Sequence, residues 1–183
     1  MTVGNQRRMV ILRRRIPGLT EAALGRFVAR AGSEVRLKGE VNVLVSGSGE
    51  LRLLNRRFRG KDKATDVLSF PPLAELADGL AGDIAISAEI AARNAKQLGH
   101  STADEIRILA LHGILHLAGY DHENDRGEMA RKEERMRKAM GLPVGLIQRE
   151  GGGQPMRQVA KRSRHRRPRL RGGVNPGLHT TSS

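Results

Sequence analysis

Apolar and polar positions along the first 140 or so residues change their period several times, and each period predicts an element. Leu24, Phe27, Val28 and Ala31 recur at three- and four-residue intervals, which predicts a helix to about residue 31 with Thr20 as its N-cap. The run Val41-Asn42-Val43-Leu44-Val45 predicts a strand. Ser48 can cap a short helix over about 49–58, with Leu51, Leu54, Asn55 and Phe58 on one side. Asp66-Val67-Leu68-Ser69-Phe70 predicts a second strand, stopped by Pro71-Pro72, and Asp83-Ile84-Ala85-Ile86 a third. Ser87 can cap a helix that runs to about Leu98 and ends at Gly99. Thr102 and Glu105 have capping-box spacing for a helix over 103–117, apolar nearly all round from Ile106 onward, as a buried central helix would be. A last, highly charged helix over 124–140 turns Met129, Met136 and Met140 inward before Gly141 and Pro143 stop it. Strands and helices mix without strict βαβ alternation, and no internal repeat is visible.

After about residue 146 this patterning stops, and there composition changes the picture. The chain has 183 residues, 33 Lys+Arg and 19 Asp+Glu, a net charge of +14. Residues 151–183 hold eight of the basic residues and none of the acidic ones. They open on Gly151-Gly152-Gly153, include Pro155, Pro168 and Pro176, and show no apolar period. Such a segment buries too little to offset its ordering entropy, so a domain over 1–146 and a disordered basic tail over 147–183 are expected. The tail is either a solubilising extension or an arm for a polyanion. The first 150 residues, with 25 basic and 19 acidic, are only mildly basic.

Other classes fall away quickly. Without cysteine there are no disulfides, thiolate zinc sites or Cys nucleophile. The four aromatics, Phe27, Phe58, Phe70 and Tyr120, argue against a sheet that stacks several bases. The apolar run at 9–12 is too short for a signal-peptide core, and no stretch approaches the ~20 apolar residues of a membrane span. A cytoplasmic protein without membrane association is expected.

The chemistry concentrates in residues 112–122, His-Gly-Ile-Leu-His-Leu-Ala-Gly-Tyr-Asp-His, which hold three of the six histidines. His112 and His116 are four apart and share one helix face. Gly119 can take the left-handed conformation that ends a helix and turns the chain back, bringing His122 to the same point. Three imidazoles with one position left open describe a catalytic zinc site, whereas structural sites are closed by four ligands. The spacing is that of the metzincin proteases, but Gly113 stands where they carry the glutamate that serves as general base. Zinc can itself bring the pKa of a water near ~7, which leaves a hydrolysis that needs no such glutamate. A Gly113→Glu exchange that brought peptidase activity would mark the geometry as protease-like.

Five cations, Arg56, Arg57, Arg59, Lys61 and Lys63, crowd into eight residues. They form either a solvated basic face or a phosphate-binding one, in which a positioned arginine stabilises charge developing on phosphodiester oxygens. Asp62 and Asp66 can pair with these cations or fix the loop. Asp121 can orient a ligand imidazole or cap the next helix. Tyr120 reads more readily as packing than as a substrate contact, and His100, His165 and His179 as bystanders.

The sequence resembles the YbeY family of bacterial endoribonucleases, the rRNA maturation factors. The resemblance is carried by 112–122, by the block from Leu54-Asn55 through Phe58-Arg59-Gly60-Lys61-Asp62-Lys63 to Thr65-Asp66-Val67-Leu68-Ser69-Phe70-Pro71, and by Gly82-Asp83-Ile84-Ala85-Ile86-Ser87. It covers about 35–142 strongly and 1–34 loosely, and leaves the tail unexplained. It implies an α+β fold, a small mixed sheet packed by several helices, with zinc at the end of a basic cleft. It further implies a metal-dependent, single-strand-specific endoribonuclease acting in 16S rRNA 3′-end maturation and ribosome quality control. Its partners would be single-stranded RNA, rRNA, and ribosomal subunits or proteins. His112, His116 and His122 match the family's ligands to one Zn2+, and Arg59 matches the arginine it needs for activity. Arg56, Arg57, Lys61 and Lys63 are further RNA-binding candidates. Two other functions fit the residues: a non-catalytic ribosome-binding factor with a structural zinc, and a metzincin-like metalloprotease that lacks its base.

Overall fold

The computed structural model describes residues 9–73, 79–122 and 124–144. Among them the elements run β1 (Val10–Leu12), α1 (Glu21–Glu34), β2 (Glu40–Ser46), α2 (Ser48–Arg59), β3 (Val67–Phe70), β4 (Leu80–Ser87), α3 (Ala88–Leu98), α4 (Thr102–Leu117) and α5 (Glu128–Ala139). The strands form one mixed sheet in the order β1-β2-β4-β3. β1, β2 and β4 are parallel, with Val10 opposite Val43 and Val43 opposite Ile84, while β3 closes one edge antiparallel to β4, Val67 opposite Ile86. This is the α+β fold that the resemblance implied: a single domain with a small mixed sheet packed by helices.

Strand alternation divides the molecule into two layers around the sheet. Val41, Val43, Val45, Val67, Ile84 and Ile86 face the main core, which they share with α1, α3, α4 and α5. Leu68, Ala85 and Phe70 face the other way, onto Leu51 and Leu54 of α2. α4 runs through the middle of the main core. Its Ile106, Ile108, Leu109, Leu111, Ile114 and Leu115 are fully buried, each worth roughly 1.5–3 kcal/mol over an exposed side chain. This is why the helix reads apolar nearly all round: no face of it meets solvent along most of its length.

Several ends differ from the pattern-based expectation. β1 was not expected as a strand; it forms because β2 offers a parallel partner, the Val43 amide donating to the Met9 carbonyl at 2.9 Å. Ser101, not Thr102, caps α4, its hydroxyl accepting from the Asp104 amide at 3.0 Å. Gly47 precedes α2, and Ser48 is its first residue. α5 begins at Glu128 and not at 124, because the Asp125 carboxylate accepts from the Gly127 and Met129 amides, both at 2.7 Å, and holds the preceding residues in a turn. Met129 and Met136 are buried, as expected, and Met140 packs half-buried at the end of that stripe. No described helix is long and apolar enough to cross a membrane. The tail expected over 147–183, with His165 and His179, lies outside the described residues.

Candidate metal centre

The last turns of α4 place His112 and His116 one above the other, with ring centroids 4.6 Å apart. The helix then ends in a Schellman turn: the Gly119 amide donates to the His116 carbonyl and the Tyr120 amide to the Leu115 carbonyl, both at 3.0 Å. Gly119 sits at φ +92°, a conformation glycine adopts without the steric penalty of a Cβ. The turn sends the chain back so that the His122 ring lies 5.6 Å from that of His112 and 5.1 Å from that of His116. One nitrogen from each ring lies within 4.8 Å of the other two, a cluster that could hold a metal ion. His112 and His116 are buried and His122 is exposed, so the cluster is reached from the His122 side.

Two acceptors assign the ring tautomers. His112 Nδ1 lies 2.9 Å from Glu133 Oε2 on α5, and His116 Nδ1 lies 3.0 Å from the Tyr120 carbonyl oxygen. A carboxylate and a carbonyl only accept, so in the neutral rings both Nδ1 atoms carry the hydrogen. Both Nε2 atoms then direct lone pairs into the same space, 3.0 Å from each other. Two such lone pairs repel unless a cation joins them, and a third imidazole converges on the same place. Burial, and next the neighbouring His112 and His122, push the His116 pKa down to about 4, which keeps its imidazole neutral at physiological pH. Neutral, tautomerically fixed nitrogens are what a borderline-soft divalent ion such as zinc takes as ligands. The residues present therefore fit a metal ion.

Gly113 closes the other side of this part of α4. A Cβ at that position would lie 2.8 Å from Ile84 Cδ1 and 2.9 Å from Ser69 Oγ. The position faces the sheet, and the glutamate that metzincin spacing calls for has no room there. The Gly113→Glu exchange is thus a poor probe of protease geometry, because it would first disrupt the packing of α4 on β3 and β4.

The basic segment occupies the other layer. Arg56, Arg57 and Arg59 form the last turn of α2, which Gly60 ends in a left-handed conformation, and Lys61 and Lys63 follow. Arg56, Arg57, Lys61 and Lys63 are exposed and Arg59 is half-buried. The loop is held from inside: buried Asn55 donates through Nδ2 to the Lys63 carbonyl at 2.7 Å. The two sequence-distant groups meet the same edge strand from opposite faces. Ser69 of β3 contacts Gly113 beside His112, its hydroxyl 3.4 Å from the Gly113 carbonyl oxygen. The next residue, Phe70, packs edge-on against Phe58 beside Arg59, with centroids 5.2 Å apart.

The remaining candidates take structural places. Asp62 makes a two-pronged pair with Arg52 (2.7 and 2.9 Å), one helical turn before the five cations. Asp66 accepts from the Val67 amide at 2.8 Å and so shapes the loop. Asp121 accepts from Asn124 Nδ2 at 2.5 Å, and its carbonyl accepts the Asn124 and Asp125 amides, which builds the turn ahead of α5. Tyr120 packs half-buried against the core and serves the centre through its backbone carbonyl. His100 is buried 2.8 Å from Glu105, between α3 and α4. Sequence reasoning missed Glu133. The signal was there: a charge placed between Met129 and Met136 on the inward stripe of α5.

Comparison with known proteins agrees with this architecture. Residues 5–141 match the family model described as Endoribonuclease YbeY. A Koribacter versatilis protein of that name is 52% identical over 156 residues, covering 85% of this chain and 99% of the relative. A second, from Solibacter usitatus, is 50% identical over 140 residues, 76% of this chain and 92% of the relative. Among solved structures, the solution structure of TM1509 from Thermotoga maritima superimposes with a TM-score of 0.53 at 29% identity, covering 73% of this chain and 89% of that one. With the fold, the histidine cluster and relatives of this identity in agreement, the chain belongs to the endoribonuclease YbeY family.

Proposed function

We propose that the protein is a zinc-dependent, single-strand-specific endoribonuclease that acts in 16S rRNA 3′-end maturation and ribosome quality control in the cytoplasm. The observation that carries this reading is the convergence of His112, His116 and His122 on one accessible point, in a chain of an endoribonuclease family. His112, His116 and His122 would hold one Zn2+. A zinc ion so bound supplies Lewis-acid polarisation of a phosphoryl oxygen and activation of the nucleophile at neutral pH. Arg59, the residue after Phe58 at the end of α2, stabilises the charge that develops on the non-bridging oxygens. Arg56, Arg57, Lys61 and Lys63 hold phosphates of the flanking strand without reading sequence. The exposed side of the cluster supports a catalytic over a structural zinc, since a structural site would be closed by a fourth ligand. The lack of space at Gly113 counts against a metalloprotease. The division into a 1–146 catalytic domain and a 147–183 basic tail, and partnership with rRNA and ribosomal subunits or proteins, belong to the same proposal.

The test is cleavage of single-stranded RNA by purified protein. His116→Ala is expected to abolish it, and Arg59→Ala to slow it on the order of 10²-fold, as removal of a transition-state donor does. Undiminished cleavage by both variants would overturn the reading. The product ends then identify the nucleophile: a 2′,3′-cyclic phosphate marks 2′-OH attack, and a 5′-phosphate with a free 3′-OH marks water.

A further inference from the structure

The inward stripe of α5 runs Met129, Glu133, Met136, and the two methionines are apolar filling for the main core. The glutamate between them does something else. Its Oε2 lies 2.9 Å from His112 Nδ1, and its Oε1 accepts from Arg137 Nη2, one turn further along the same helix. Both partners are shielded: the Glu133 side chain is 12% exposed and that of Arg137 7%. A carboxylate and a guanidinium of nearly opposite exposure preference to their surroundings are expensive to place there, and a pair of apolar residues would pack α5 on α4 as well. What apolar residues could not do is hold the His112 ring with Nδ1 protonated and Nε2 aimed at His116 and His122.

We infer that Glu133, steadied by Arg137, is a positioning residue for the metal centre: it fixes the tautomer and orientation of His112 and thereby sets the affinity of the three-histidine site for its metal. The inference deepens the proposed function, since it rests on those histidines binding a metal. The site is asymmetric on this view. His116 is fixed from within its own helix end, by a carbonyl four residues on. His112 depends on a side chain 21 residues away, brought to it only when α5 docks. α5 is thus the element that completes the centre, and docking of α5 and metal binding reinforce each other.

The experiment measures the metal site without RNA. Zn2+ affinity of the full chain is determined by chelator competition for wild type, Glu133→Gln and Arg137→Met, with urea unfolding of each metal-free protein run alongside. Glu133→Gln keeps the shape and one acceptor but not the charge, and is expected to weaken Zn2+ binding about 10- to 100-fold. Arg137→Met leaves the carboxylate present but unsteadied, and is expected to show a smaller loss in the same direction. Long-range 1H–15N imidazole spectra of the metal-free proteins supply a readout that mere helix packing would not move. Wild type should show His112 as the Nδ1–H tautomer, and Glu133→Ala should show a mixture. Wild-type Zn2+ affinity in Glu133→Gln, or a His112 that keeps the Nδ1–H tautomer in Glu133→Ala, would overturn the inference while leaving the endoribonuclease reading intact. A wild-type protein that binds no Zn2+ would overturn both.

Discussion

At position 113 a single hydrogen decides how closely α4 can lie on the sheet. Two effects oppose each other in Gly113→Ala. Alanine is the better helix former by about 1 kcal/mol. Its methyl, however, would sit 2.8 Å from Ile84 Cδ1 and 2.9 Å from Ser69 Oγ, and overpacking of this kind costs about 1–3 kcal/mol. Ile84 is 1% exposed and Ser69 2%, so neither has free space to retreat into. The clash wins, and urea unfolding of metal-free Gly113→Ala is expected to show a net loss of up to about 2 kcal/mol; a midpoint at or above that of wild type would show that the neighbours yield. The same residue shows what sequence spacing can and cannot carry. That His112, His116 and His122 converge was legible, because one helix and one turn suffice to join them. That position 113 faces β3 and β4 was not, because it depends on which side of α4 the sheet occupies. The inward place of Glu133 between Met129 and Met136 could be read, but its partner could not, for the same reason: the contact with His112 spans 21 residues and exists only once two helices have docked.

Among the elements, the helix end is the most economical part of the site. The Schellman turn after α4 satisfies carbonyls of the last turn, brings the Tyr120 carbonyl under His116 Nδ1, and returns His122 to the cluster. All three depend on Gly119 at φ +92°. A Cβ there would meet nothing within 4 Å, so the cost of substitution is purely conformational. Gly119→Ala is expected to lose roughly 1–2 kcal/mol of stability, and Gly119→Asn less, since asparagine tolerates the left-handed region. Zn2+ affinity measured on the same variants should fall in the same order, because His116 and His122 both take their positions from this turn. Equal affinity across the series would detach the turn from the metal centre. Helices with strong local signals were read well: Thr20 and Ser87 cap α1 and α3 as their sequence suggested. β1 was not, since three apolar residues among arginines carry no period, and only the edge of β2 makes them a strand. Nor could the strand order β1-β2-β4-β3 be read, because pairing across β2 and β4 joins segments some 40 residues apart whose alternation is the same in either direction.

Across the whole molecule, charge is distributed as unevenly as the chemistry. The net +14 divides into +6 over the first 150 residues and +8 over residues 151–183, where no acidic residue offsets the eight basic ones. Within the described residues, Phe58 of the basic segment and Gly113 beside His112 both contact β3, from opposite faces of the sheet. Under the proposed function the cations of 56–63 would place RNA for cleavage. The contribution to binding expected of the cations in 151–183 is the release of counterions, which is diffuse and strongly dependent on salt. For a single strand the slope of log affinity against log salt falls by about 0.7 for each phosphate neutralised. Truncation after residue 150 is therefore expected to weaken single-stranded RNA binding at low salt and to flatten that slope, while Zn2+ content stays the same. The truncated and full-length proteins should converge in affinity as salt rises, because the lost contribution is the one that salt removes. Identical slopes for the two proteins would mean that the eight cations never meet RNA and that the extension serves solubility alone.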